Sequence, residues 1–291
     1  QEVKSVDNIH AGVVKFDGVL QVRGNIGDSC RVEAFRIEVS GSVGHSQLRA
    51  TSDIHVQQSI VKGILHAGGM VTASELLEAN ITAGEHVIIS GNITNSTVNA
   101  GECLRIVDEK ADASGSKLQG GYLVLLPYVG TQPGATKSEI EVGISLAQRK
   151  HIREQEEALK EMLEQFGRNK ETLDPVTRRW AKGKANAQDQ KDLDQLTEIL
   201  EREIAKLHGA VREIRAFQRV SDASEQLDGG SIIVQHKISA GSILFVRRTR
   251  FNVVAEAEAV AYSFTQSGVQ NRPAGSVLPR FQKYLIELPQ D

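Results

Sequence analysis

A repeat of about 17 residues between Leu20 and Ile106 constrains the fold more than any other feature of this sequence. Within the repeat, pairs of apolar residues separated by one residue begin at positions 17, 17, 17, 16 and 17 residues apart. The first residues of these pairs, called here the first ladder, are Leu20, Ile37, Ile54, Val71, Val87 and Leu104. A chain with this period stacks equivalent coils, and each coil buries its apolar residues under those of the next.

Two further ladders run through the same residues with the same period. The second ladder contains Ile26, Val43, Ile60, Leu77 and Ile93, and the third contains Val32, Leu48, Leu65, Ile81 and Val98. Small turn residues follow the third ladder at Ala67-Gly68-Gly69, Ala83-Gly84-Glu85 and Ala100-Gly101-Glu102. Three short apolar segments in each repeat predict coils of three short strands with tight corners, which is a parallel β-solenoid.

Other fold classes fit the repeat poorly. Antiparallel hairpins need turn signals every 8–12 residues or so and no fixed period, and an amphipathic helix needs apolar residues at i, i+3, i+4 and i+7. The Val, Ile and Thr content favours strands. Aromatic residues make up only 4% of the chain, so aliphatic ladders have to fill the core.

The residues around the regular coils have distinct roles in this interpretation. Residues 1–19 are expected to form an irregular first coil that covers the open end, and residues 107–143 are expected to form one or two irregular coils.

The outward positions of the regular coils are polar, which indicates either a solvated face or a protein-binding face. These positions are Gln21, Arg23, Glu38, His55, Gln57 and Thr72.

From residue 144 the apolar period becomes helical. Leucine or isoleucine recurs every seven residues from Leu193 to Ile214, which predicts a coiled coil. Breaks at Asp174-Pro175 and near residues 183–189 predict an antiparallel hairpin joined near 174–190. Residues 232–245 then restore the solenoid pattern. We therefore expect a solenoid over 1–143, a helical insertion over 144–228 that projects beyond it, and closing coils with a cap over 229–291.

The predicted tip of the hairpin carries a local excess of positive charge around the only tryptophan. Its candidate partner-binding residues are Arg178, Arg179, Trp180, Lys182 and Lys184. Trp180 either packs across the two helix ends or anchors a partner within the basic rim.

The sequence resembles the β-solenoid region of bacterial flagellar assembly protein A, once a domain of unknown function. The resemblance is carried by the Ala-Gly corners, by Tyr128 to Thr131, and by the string GATKSEIEVG from Gly134 to Gly143 just before the helical region. Ala135 stands where the family's version of this string has a glycine. Residues 237–243 resemble the segment that resumes the solenoid. We do not expect the family's N-terminal domain within these residues, so none of that domain's functions is carried over.

The resemblance implies a right-handed parallel β-helix and a non-catalytic role in flagellar assembly or its polar placement. It implies action through protein partners in the cytoplasm, with recruitment to the cell pole. Regulators of flagellar placement or of sugar-transport signalling are the partner classes it indicates. A closed homo-oligomer is compatible with this role. No cofactor and no catalytic residue come with the resemblance.

Composition and motifs bear on the remaining function classes. The net charge of −3 does not indicate nucleic-acid binding, and no apolar run is long enough to span a membrane. Cys30 and Cys103 are out of phase in the repeat, which favours free thiols in a reducing cytoplasm over a disulfide. The sequence contains no CxxC or HxxxH spacing, so no motif predicts a metal site. Two alternatives stay open: a polymerising β-helix of the cytoskeletal type, and a carbohydrate-active β-helix enzyme, against which the scattered outward carboxylates argue.

Overall fold

The structure is a computed structural model that describes residues 2–130, 137–143, 146–183, 187–224, 230–247, 249–265, 268–279 and 281. In chain order, the strands before the helices are β1 (Val3–Val6), β2 (Gly12–Val22), β3 (Cys30–Val39), β4 (Gln47–Ala50), β5 (Ile54–Val56), β6 (Ser59–Val61), β7 (Ile64–Ala67), β8 (Val71–Ala73), β9 (Glu75–Leu77), β10 (Asn80–Ala83), β11 (His86–Ile89), β12 (Ile93–Thr94), β13 (Thr97–Ala100), β14 (Cys103–Ile106), β15 (Asp112–Ser114), β16 (Lys117–Gly120), β17 (Leu123–Val129) and β18 (Glu139–Val142). After these come α1 (Leu146–Ala181), α2 (Ala187–Ser224), β19 (Ser231–Ile238), β20 (Ile243–Val246), β21 (Thr249–Asn252), β22 (Ala257–Thr265), β23 (Gly268–Pro273) and α3 (Ala274–Val277).

The strands form the three parallel sheets of a β-solenoid. The first sheet runs through β1, β2, β3, β5, β8, β11, β14, β17 and β19. The second runs through β6, β9, β12 and β15, and continues into the later parts of β17 and β19. The third runs through the early parts of β2 and β3 and through β4, β7, β10, β13, β16, β18 and β20. The predicted parallel β-solenoid is confirmed.

The first ladder lies in vertical alignment along the first sheet. Leu20 pairs with Ile37, Ile37 with Ile54, and the pairing continues coil by coil to Leu104. Each of these side chains is completely buried. Apolar burial stabilises by about 25 cal/mol per Å², so this aligned column supplies much of the stability of the solenoid.

One member of the second ladder is displaced by a residue. Leu76, which is 1% exposed, pairs with both Ile60 and Ile93, whereas the predicted Leu77 is 41% exposed. The coil that follows Ile60 reaches the second sheet in 16 residues rather than 17. Because successive strand residues point to opposite faces, the shift by one residue turns Leu77 outward.

The N-terminal residues differ from the expected irregular cap. β1 pairs in parallel with β2, with Val3 opposite Val19 and Val6 opposite Val22. Ile9 forms an isolated parallel bridge with Ile26 of the second ladder. The period therefore extends to the first described residues, and this segment forms a further coil in register.

The chain returns to the same solenoid after the helices. β19 pairs in parallel with β17, and β20 pairs in parallel with β18. β21, β22 and β23 then pair antiparallel with these last coils and with one another. This change of strand direction ends the parallel stack. Residues 1–146 and 228–291 accordingly form one compact unit.

Residues 147–227 form a second compact unit, a helical hairpin. α1 has 36 residues and α2 has 38. The predicted break at Pro175 is wrong, because α1 continues through this proline. Proline removes one backbone hydrogen bond from a helix, and Pro175 is exposed, so water can satisfy the carbonyl that is left. No described helix is long and apolar enough to cross a membrane.

Candidate functional site: a polar groove on the first sheet and the hairpin tip

The outer face of the first sheet changes character along the solenoid. Its central outward column consists of Gln21, Glu38, His55, Thr72, Ile88, Arg105, Leu125 and Ile233. The first four are polar, whereas three of the last four are apolar. The N-terminal half of this face is therefore suited to polar contacts, and the apolar C-terminal half has to be shielded from water by other residues.

The polar half forms a shallow groove of about 700 Å³ whose side chains are linked from coil to coil. Ser5 Oγ donates to Gln21 Oε1 at 3.1 Å, and Gln21 Nε2 donates to Glu38 Oε2 at 3.0 Å. His55 Nδ1 lies 3.0 Å from Thr72 Oγ1. Because each link joins adjacent coils, the groove presents fixed polar groups at the spacing of parallel strands, about 4.8 Å.

An ion pair holds Arg36, one of the residues that line the groove. Arg36 Nη2 donates to Asp53 Oδ2 at 2.6 Å, and Asp53 Oδ1 accepts the backbone N–H of Met70 at 2.9 Å. Burial raises the pKa of Asp53, but the hydrogen bonds from Met70, Arg36 and Ser52 outweigh it and hold that pKa below its ordinary value. This corner carboxylate satisfies a backbone N–H, and it stays ionised.

His55 lies at the centre of the groove. Its pKa is lowered mainly by burial, and Arg36 contributes, although Asp53 and Glu38 oppose the shift. The imidazole is therefore neutral at pH 7 and can both donate and accept a hydrogen bond. A neutral histidine between ionised side chains can recognise polar groups on a partner without adding net charge.

The apolar half of the face is covered by the C-terminal segment. A separate apolar cluster joins strand residues of the first sheet to β22, to α3 and to the residues after it. It contains Cys103, Leu123, Leu125, Ile233, Ala261, Ala274, Val277 and Phe281. This covering leaves the polar groove as the accessible part of the face among the described residues.

The hairpin tip contains three of the five predicted partner-binding residues with described side chains. Arg178, Arg179 and Lys182 are all exposed. The guanidinium of Arg179 contacts the buried carboxylate of Asp189, with Nη2 2.6 Å and Nε 3.0 Å from Oδ1. Arg179 thus links the end of α1 to the start of α2, and Arg178 and Lys182 remain as the exposed cations beside it.

For the other two predicted tip residues the structure describes no side chain. Trp180 lies in α1, but its side chain is outside the described part of the structure, and Lys184 lies outside the described residues altogether. The choice between a packed and a partner-binding Trp180 stays a prediction.

The sequence interpretation identified most of the outward polar positions but missed the Arg36–Asp53 pair. Both residues stand one position before a first-ladder residue, 17 residues apart, and that spacing is the signal that could have identified them. Among the described residues, no group of three His, Cys, Asp or Glu side chains is placed to hold a metal ion. Cys30 and Cys103 are buried and free.

These features define a class: a parallel β-solenoid with a polar groove on one sheet and a helical hairpin between two of its coils. The sequence model of the flagellar assembly protein A β-solenoid domain matches residues 2–269. The chain belongs to the flagellar assembly protein A family. Comparison with curated proteins and with solved structures gives no match.

Proposed function

We propose that this protein is a non-catalytic scaffold or regulator in bacterial flagellar assembly or in its polar placement. It acts by binding proteins through the polar groove and through the hairpin tip. The family supports the role in flagellar assembly. The observation that supports binding at the groove is its coil-to-coil series of hydrogen bonds, which holds Gln21, Glu38 and His55 in place before a partner arrives. Groups held in place in this way lose little conformational entropy on binding.

The finer features of the architecture belong to the same proposal. The solenoid is right-handed, and the hairpin is an antiparallel coiled coil. Leu193, Leu200 and Leu207 of α2 are half-buried, as a seam between two helices requires. The protein works in the cytoplasm and is recruited to the cell pole. Its partners are regulators of flagellar placement or of sugar-transport signalling.

A matched pair of glutamines tests the groove. Gln57 is exposed in the groove, whereas Gln47 is exposed on the third sheet. We expect Gln57→Arg to reduce the recovery of crosslinked partners from cells and to impair swimming, because a long cation in the groove obstructs docking. Gln47→Arg should leave both unchanged. Equal effects of the two substitutions, or no effect of either, would remove the groove from the proposal.

A second pair tests the tip. Arg178→Glu combined with Lys182→Glu reverses the exposed charge beside the hairpin turn without breaking the Arg179–Asp189 contact. The control reverses two exposed lysines elsewhere on the hairpin, Lys160→Glu with Lys206→Glu. We expect the tip variant alone to lose crosslinks to its partner. Retention of those crosslinks would limit binding to the solenoid.

A polymerising β-helix makes a different prediction, namely a mass that grows without limit as concentration rises. The antiparallel strands β21 to β23 interrupt parallel stacking at one end and support a limited assembly instead. Light scattering over a concentration series distinguishes the two. We also propose that the chain is not an enzyme, since the carboxylate with the clearest structural role, Asp53, is committed to Arg36 and to the Met70 backbone.

A further inference from the structure

Three side chains that can bind soft metal ions occupy equivalent positions in three successive coils. His86 pairs directly with Cys103, and Met70 takes the same position in the preceding coil. Each stands one residue before a first-ladder residue that is fully buried. Because side chains alternate along a strand, His86 and Cys103 lie on the outer side of the first sheet, and Met70 directly precedes the strand of the coil before them.

The histidine of this column has a buried nitrogen without a partner. His86 is 7% exposed, and its Nδ1 forms no hydrogen bond with any described residue. Its other nitrogen, Nε2, lies 3.6 Å from the Glu102 carboxylate. A carboxylate near one ring nitrogen favours the proton there and leaves the lone pair on the other, as in histidines that bind metals. Nδ1 of His86 therefore has the character of a ligand.

The cysteine of the column is in an apolar, enclosed position. Cys103 is 2% exposed and belongs to the cluster beneath α3 and Phe281. Apolar surroundings favour the protonated form of a buried thiol. A coordinating metal ion displaces such a proton and binds the thiolate.

We propose that the Cys103 thiolate and Nδ1 of His86 bind one Cu(I) ion, with the Met70 thioether as an additional ligand. Thiolate and thioether sulfur are soft ligands that favour Cu(I), zinc and iron–sulfur clusters, and clusters of that kind need several more cysteines. The set is too small for a structural zinc site, which takes four ligands, and it lacks the oxygen ligands that calcium and magnesium need. Binding breaks the S–H bond, forms an S–Cu bond and releases one proton to solvent, with no change in oxidation state.

The site goes beyond the proposed function and does not depend on it. It joins three coils at the boundary between the polar groove and the part of the sheet covered by the C-terminal segment. A ligand that binds only the folded state stabilises that state. Bound Cu(I) should therefore raise the melting temperature of the solenoid.

Anaerobic titration of the purified chain with the bicinchoninate complex of Cu(I) tests the site. We expect the native chain to take about one Cu(I) ion, as structural sites of this kind bind one ion each, and to melt at a higher temperature when loaded. Cys103→Ala and His86→Asn should each lose this uptake. The matched control is Cys30→Ala, which removes the other buried thiol and should keep it.

A more conservative variant tests the site in case Cys103→Ala or His86→Asn fails to fold. Met70→Leu preserves an apolar side chain of similar size and should raise the Kd for Cu(I) roughly tenfold, as loss of an auxiliary group does at metal sites. Three results would overturn the proposal: no Cu(I) uptake by the native chain, full uptake by folded Cys103→Ala, or equal loss in Cys30→Ala.

Discussion

The solenoid and the helical hairpin bury the same kinds of aliphatic side chain to very different extents. Leu104 in the solenoid is completely buried, whereas Leu193 and Leu200 in the hairpin are half-buried and Ile204 is 41% exposed. A solenoid coil surrounds each ladder residue with neighbours above, below and across the interior. Two helices cover their seam from one side only. The solenoid is therefore the more stable unit, and the hairpin leaves part of its aliphatic surface exposed to solvent.

Truncating one aliphatic residue in each unit should give the largest difference. We expect Leu104→Ala to destabilise the solenoid by about 2–5 kcal/mol, because it leaves a cavity between two coils. Ile204→Ala should cost less than about 1 kcal/mol at its exposed position. Urea unfolding followed by circular dichroism, with hydrogen exchange resolved for each unit, measures both. Equal costs would show that the hairpin is as tightly packed as the solenoid.

Glycine substitutions should have opposite signs in the two units. A Cβ on Gly101 would lie 1.8 Å from the carbonyl oxygen of Gly84 in the coil before, whereas a Cβ on Gly209 in α2 would meet no described atom within 4 Å beyond its chain neighbours and its own helix backbone. We expect Gly101→Ala to destabilise by about 1–3 kcal/mol, since the backbone has to shift. Gly209→Ala should stabilise its helix by up to about 1 kcal/mol. Melting temperatures that move in the same direction would contradict the contrast between close-packed corners and an open helix.

A smaller effect is expected at the hairpin turn. Arg179→Ala removes one partner of the buried Asp189 carboxylate, and half of the arginine side chain is exposed. We expect a loss of roughly 1 kcal/mol in the hairpin alone, after allowing for solvent screening. Proteolysis near residues 182–187 should accelerate, whereas Arg178→Ala should behave like the native chain. Unchanged proteolysis would show that the contact contributes no stability.

The smallest effect is expected on the pH dependence of solenoid stability. The pKa of Asp53 is lower in the folded chain than its ordinary value of about 3.9. Its contribution is therefore complete above about pH 4 and is lost as the pH falls through the folded pKa. We expect Asp53→Asn to flatten the dependence of solenoid stability on pH below about pH 4. A parallel pH profile in the variant, measured by urea unfolding from pH 2 to pH 7, would exclude this role.

Much of the fold could be predicted because the apolar residues of the core recur at a regular spacing along the sequence. The first ladder appears in the sequence as a spacing and in the structure as a set of paired, buried residues. The prediction failed where a single residue decides a register, as at Leu76 and Leu77. It failed again at Pro175, because the exposed surface of a long helix tolerates a lost hydrogen bond.

The candidate site was predictable only in outline. Alternation along the strands indicated that Gln21, Glu38 and His55 face outward, but the pairing of Arg36 with Asp53 depends on how the corners stack. At the tip, charge counting marked Arg178 and Arg179 as equivalent. The structure separates them, because only Arg179 reaches the Asp189 carboxylate.

By itself the sequence determined that this chain forms stacked coils and two long helices, because apolar spacing fixes which side chains have to leave water together. The tertiary structure alone decided which half of the first sheet stays open, because α3 and Phe281 come from far along the chain to cover the other half. It also brought Met70, His86 and Cys103 into one column. Residues some 16 or 17 positions apart become neighbours only when the coils stack.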